Sequence, residues 1–174
     1  MSSATSDLDL AIGLLRATPT HENRAEEQLR AWAGIALAYG DELAAGADTD
    51  DVPIVERSGG IGDGELLLAE YSHGTVTIFA DALNRVEELA RAKGWPVTPE
   101  SLRRAAVAHE LAHHRLDVRE LNRRLGHTAV RLGPFRVRGH VVGADEIAAH
   151  RFAHHRSGLG VSPLLITAAL TGGR

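Results

Sequence analysis

The segment His109-Glu110-Leu111-Ala112-His113 sets two histidines four residues apart, with a glutamate directly after the first. On an α-helix, residues at that spacing share one face, one turn apart. Two imidazole nitrogens so placed can bind one metal ion. Glu110 sits beside them, where it can hold a water at that ion. His109 and His113 are therefore the first two expected metal ligands.

This chemistry requires a helix, and the flanking residues supply one. Thr98 suits the cap, Pro99 the first helical position, and Glu100 the positive end of the helix dipole. Leu102, Ala105, Ala106, His109, Ala112, His113 and Leu116 then recur at helical spacing. Ala105 to Ala108 is apolar on nearly all sides, which suits a central helix better than a solvated one. Eight of the ten histidines lie between His109 and His155. That is more than one ion can bind, so most of them have other roles. The plain alternative is an amphipathic helix that carries His and Glu on a solvated face.

A catalytic zinc site usually has three protein ligands, commonly two His and a carboxylate, plus water. The segment from Ala144 to Ala153 reads as a second helix, with Gly143 before it, Asp145 and Glu146 in its first turn and Gly158 after it. Glu146 and His150 share a face with Ala149 and Ala153, and small residues there allow close approach to the first helix. Glu146 is the expected third ligand. Asp117, one turn beyond His113, is an alternative as ligand or as partner of an imidazole N–H. His150 and His140 are further alternatives, and Glu146 could simply favour the helix dipole.

Taken together, Ala108 to His113 and then Glu146, Ala149, Phe152 and Ala153 resemble the gluzincin group of zinc metallopeptidases. Within it they look like the small intracellular ImmA/IrrE-type and minimal gluzincin peptidases. Leu116 and Arg119 stand where metzincins carry Gly and His, so that subclass is excluded. The resemblance covers roughly Glu65 to the C-terminus and is specific in the two helices. The chain departs from the ImmA/IrrE type at Ala112, where Gly is frequent, and at His150, where Asn is frequent.

The resemblance implies zinc (Zn2+) bound by His109, His113 and Glu146, with Glu110 as the catalytic general base in peptide-bond hydrolysis. It implies a zincin-like fold with a sheet ahead of the motif helix, whose edge strand holds an extended peptide or protein substrate. Thr75 to Phe79 is expected to be that strand. No tyrosine follows the motif. Stabilisation of the oxyanion then falls to a His or Arg, with His127, Arg138, His140, His150 and His154 all open. Two other readings stand beside hydrolysis of general peptides. One is an inactive zinc-binding or protein-interaction module of the same fold, and the other is a regulatory peptidase that cuts one dedicated protein.

The fold class expected is α+β, mostly helical, with a small β-sheet or hairpin packed on the motif helix. Residues 1–45 read as an N-terminal helical arm, 46–64 as a Gly/Asp-rich linker in which Val52 to Val55 could form a brief strand, and 65–174 as the metallopeptidase core. In the arm, Ser6 opens a helix to Arg16, and Thr20 caps a longer one to about Ala45 with a stripe of Ala25, Leu29, Trp32, Ala36 and Tyr39. Glu65 to Tyr71 and Thr75 to Phe79 read as strands joined by a turn at His73, and Asp81 caps a helix to Lys93. Asn122 to Gly133 reads as irregular or partly helical, Phe135 to Val142 as a strand, and Ser162-Pro163 as the start of a helix to Leu170.

With a net charge of −4 and a pI near 6.2, nothing favours nucleic acid electrostatically. Arg123-Arg124 and Arg136-Val137-Arg138 read as solvated faces. The absence of cysteine rules out disulfides and thiolate zinc ligands. No apolar run reaches membrane-spanning length, and Met1 to Asp9 is too polar for a signal peptide, so a cytoplasmic protein is expected.

Overall fold

The computed structural model describes residues 5–21, 23–49, 51–132 and 135–172, with 128–132 and 135–138 described as backbone alone. Along the chain run α1 (Asp7–Ala17), α2 (Glu26–Ala45), β1 (Ile54–Arg57), β2 (Ala69–Ser72), β3 (Thr75–Phe79), α3 (Ala80–Lys93), α4 (Pro99–Arg115), α5 (Val118–Leu125), β4 (Thr128–Leu132), β5 (Phe135–Arg138), α6 (Ala144–Ser157) and α7 (Pro163–Thr171). The chain is mostly helical with a small three-stranded sheet, the α+β arrangement expected. Among the described residues, no helix is long and apolar enough to cross a membrane.

Helix α4 begins where its sequence dictates. The Thr98 hydroxyl accepts the Ser101 N–H, the Ser101 hydroxyl accepts the Thr98 N–H, and Pro99 fills the first turn. It ends at Arg115, one residue before Leu116, because Asp117 caps the next helix by accepting the N–H groups of Arg119 and Glu120. That new helix, α5, runs into the stretch from Asn122 expected to be irregular or partly helical. The β5 strand ends at Arg138, short of Val142.

Two apolar clusters flank the site. In one, Leu15 of α1 and Leu29, Trp32 and Ala36 of α2 pack with Leu121, Ile147 and Ala148. The Trp32 indole N–H donates to the Leu125 carbonyl at 3.2 Å. Helix α2 starts at Glu26, not near Thr20, since residues 18–21 and 23–24 form turns and bends and His21 is buried against the Val142 carbonyl. At Gly40, an added Cβ would lie 2.6 Å from the Ala148 carbonyl oxygen, so the α2–α6 contact is backbone-close. In the second cluster, Val76 and Ile78 of β3 and Leu83 and Val86 of α3 pack against Leu102, Ala105 and Ala106 of α4.

The sheet order is β1-β3-β2, with β1 parallel and β2 antiparallel to β3. This corrects the expectation that Thr75–Phe79 is an edge strand. It is central, because Ile54–Arg57 pairs along it. The β2–β3 turn places His73 at φ 51° and Gly74 at φ 79°, the paired left-handed conformation that a two-residue hairpin favours. Strand β2 is shorter than expected at its start, since Glu65 to Leu68 forms a loop edge bridged to Ile61 and Gly60. Asp81 does not cap α3. It lies in the first turn, and its carboxylate accepts the N–H groups of Gly59 and Gly60, tying the glycine loop to the helix.

Candidate metal centre

The two motif histidines project from α4 toward the first turn of α6. Glu146 is the third residue of α6, which starts after Gly143 at φ 91°. The helices meet along a seam of Ala108 and Ala112 against Ala149 and Ala153, with Phe152 closing it. Methyl-sized side chains on both sides bring the backbones close enough for a short carboxylate to reach two imidazoles.

The resulting cluster is tight. Nε2 of His109 and Nε2 of His113 lie 3.2 Å apart. Oε2 of Glu146 is 3.3 Å from the first and Oε1 is 3.0 Å from the second. The structure therefore gathers all three residues expected as ligands. The side chains of His109, His113 and Glu146 are 20%, 31% and 45% exposed, so solvent reaches the cluster. His150 and Asp145 are the outer members. His109, Glu146 and His150 offer donor atoms within 4.8 Å of one another, as do His113, Asp145 and Glu146, and either set could hold a metal ion.

Electrostatics follow from the contacts. Hydrogen bonds from His109 and His113 hold the Glu146 carboxyl far below the usual carboxylate range. The hydrogen bond to Glu146 raises the His113 imidazole above its ordinary value, against the opposing effect of burial. Burial, reinforced by the neighbouring His109, pushes His150 down to about 3, so it stands neutral. Its ring tilts against that of His109 at 4.5 Å, and its Nε2 meets the Thr167 hydroxyl of α7 at 3.3 Å. Nδ1 of His109 is buried without a hydrogen-bond partner among the described residues. The ring is oriented by packing and by what faces Nε2.

Glu110 lies beside the cluster and is held by the sheet, its Oε2 accepting the Tyr71 N–H of β2 at 3.3 Å. Opposite Tyr71, Val76 donates to the Pro53 carbonyl on the β1 side. The Tyr71 and Ala69 backbone groups therefore point away from β3. The edge strand beside the site is β2. The Tyr71 ring also stacks on His114 at 3.6 Å.

No known protein family, curated protein or solved structure matches the chain.

The other sequence candidates are elsewhere. Asp117 is engaged as the α5 cap and its own N–H donates to the Tyr39 hydroxyl, so it partners neither imidazole. His140 meets Asn122 at 3.2 Å, His127 lies against Trp32, and His154 faces Asp7. The Arg138 side chain lies outside the described residues. Of the residues considered for oxyanion stabilisation, His150 lines the cavity that holds the cluster. Two contributors had no sequence signal: the Tyr71 N–H, which depends on strand register, and Thr167, which depends on how α7 docks.

Proposed function

We propose that this chain is a zinc-dependent peptidase of zincin-like fold, with His109, His113 and Glu146 as ligands and Glu110 as general base. The observation that carries the reading is the spacing of the three donors. Ligands about 2.0–2.1 Å from a tetrahedral ion are separated by edges of about 3.3–3.4 Å. The observed separations are 3.2 Å between the two Nε2 atoms, 3.3 Å from His109 Nε2 to Glu146 Oε2, and 3.0 Å from His113 Nε2 to the other carboxylate oxygen, Oε1. Protons explain this arrangement less well than a cation does. If both rings donate to Glu146, their Nε2 atoms face each other at 3.2 Å with no acceptor between them. A divalent ion would satisfy both imidazole nitrogens and the carboxylate at once, and the exposure of the cluster leaves room for a non-protein donor.

Zinc held there supplies Lewis acidity and makes a water acidic near neutral pH. The protein supplies the rest. Glu110, oriented by the Tyr71 N–H, would serve as general base toward an attacking water and would hand the proton to the leaving amine. The Ala69 backbone and the Tyr71 carbonyl of β2, which point away from β3, can pair with an extended chain. His150, neutral and braced by Thr167, is the group best placed to donate to a substrate oxygen in the cavity.

The decisive experiment is Glu110→Gln in the full chain, purified without a metal-binding tag. It should retain one zinc per chain and lose hydrolysis of every peptide the parent cleaves. Cleavage at the parental rate would remove Glu110 from the mechanism. Stoichiometric zinc with no turnover by the parent on any peptide or protein would favour the inactive module instead.

A further inference from the structure

The cluster occupies part of a cavity of about 1210 Å³ that runs between the loop before β2, helix α4 and helix α7. Sites for drug-sized ligands are about 300–1,000 Å³. This space is larger and suits several residues of extended chain. Its walls are aliphatic, with Leu66 and Leu68 on one side and Ile166 and Leu170 on the other. Its floor is Ala105 and Ala106, four and three residues before His109 on the same face of α4. Charge is confined to the metal end and to Glu65 and Arg85, and Arg85 is already engaged with Glu88.

Two further observations say what fills it. The trough is continuous with the cluster, because His109, Glu110 and Glu146 line the same cavity. It also runs beside Ala69, whose backbone faces outward from the sheet. A chain paired with β2 advances about 3.3 Å per residue and sends alternate side chains to one face. One helical turn separates His109 from Ala105, about 5.4 Å along α4. The side chain next to a carbonyl held at the cluster therefore falls over the alanine floor. A charged side chain there would lose its hydration against the alanine floor.

We infer that the substrate is an extended peptide with a bulky apolar residue flanking the scissile bond, seated in the Leu66–Leu68–Ile166–Leu170 trough. The identity of that bond rests on the peptidase reading above, whereas the trough's preference does not. Two measurements separate them. The first maps cleavage by the zinc-loaded full chain in a mixed peptide library. Cuts should cluster beside Leu, Ile, Met or Phe, and replacing that residue by Ala should lower kcat/KM by at least about 10-fold. Leu170→Ala, which widens the wall, should shift preference toward Phe and Trp with zinc content unchanged. Equal cleavage beside Asp, Gly and Leu would overturn the inference.

The second measurement needs no turnover. Labelled peptides differing only in Leu, Ala or Asp at one position are titrated into Glu110→Gln protein and followed by anisotropy. Binding of the Leu peptide at least about 10-fold tighter than the Asp peptide supports the trough, and Leu170→Ala should narrow that ratio. Equal binding, or none, overturns it. Discrimination in binding without cleavage by the parent would sink the peptidase reading alone.

Discussion

Removing Glu146, the proposed α6 ligand, gives the sharpest test of the candidate metal centre. The cluster exists only when α4 and α6 are docked, so an ion bound there stabilises the folded state and not the unfolded chain. At a free zinc concentration 100 times Kd, the stabilisation is about 2.7 kcal/mol. For a domain of this size each kcal/mol moves Tm by about 2–4 °C, so zinc should raise it by about 5–11 °C. Suppose Glu146→Ala weakens binding 100-fold, the upper end of what loss of an outer partner already costs. At the same free zinc the stabilisation then falls to about 0.4 kcal/mol, or about 1–2 °C. Without metal the variant also loses the hydrogen bonds between Glu146 and the two imidazoles, besides a helix-dipole interaction worth about 0.3–1 kcal/mol, so each protein's zinc shift is read against its own EDTA baseline. Differential scanning fluorimetry in a zinc buffer, with EDTA controls, reads all four values. A parental Tm indifferent to zinc, or a shift equally large in Glu146→Ala, would refute the ligand assignment.

Other outcomes follow from the same geometry. In the metal-free protein the raised His113 contributes stability below its ordinary value of 6.5, lost as pH rises through its folded value. The depressed Glu146 contributes above its ordinary 4.5, lost as pH falls through its folded value. The cluster's own stabilisation should thus be greatest between 4.5 and 6.5. Zinc requires neutral imidazoles, so its added stabilisation should instead grow as pH rises through that window. Parallel Tm–pH curves with zinc and with EDTA would contradict this. Gly40→Ala inserts a methyl 2.6 Å from the Ala148 carbonyl and should cost about 1–3 kcal/mol by urea denaturation. An unchanged midpoint would show that the helices can part. Phe152→Ala, at a site 1% exposed, should cost about 3–5 kcal/mol and weaken zinc binding measured by competition with a chelating dye. Zinc affinity identical to the parent would separate the seam from the site.

The helices that carry the candidate ligands were legible because their signals are local. Thr98, Pro99 and Ser101 close a cap within four residues, and His109 and His113 need only one turn to meet. Glu146 was readable from an acidic first turn and the Ala149–Ala153 stripe, since a small-residue face implies a close neighbour. The sheet was less legible. All four residues of β1 are exposed, so Ile54–Arg57 lacks the alternation that marks a half-buried strand. Its parallel pairing with β3 is set at a distance, and missing it misplaced the sheet edge. The role of Asp81 was hidden for the same reason, its partners being Gly59 and Gly60 about twenty residues earlier. Thr20 looked like a cap, but burying His21 against the Val142 carbonyl keeps that stretch out of the helix.

The alanine seam also determines how this centre would fail. Ala108, Ala112, Ala149 and Ala153 have no rotamers with which to absorb a sliding of one helix on the other. Any displacement of α6 passes undamped to the Glu146 carboxylate. The cation affinity of the protein should therefore behave as a strain gauge for this one joint, collapsing when it slips by a fraction of a helical turn while most of the secondary structure stays intact.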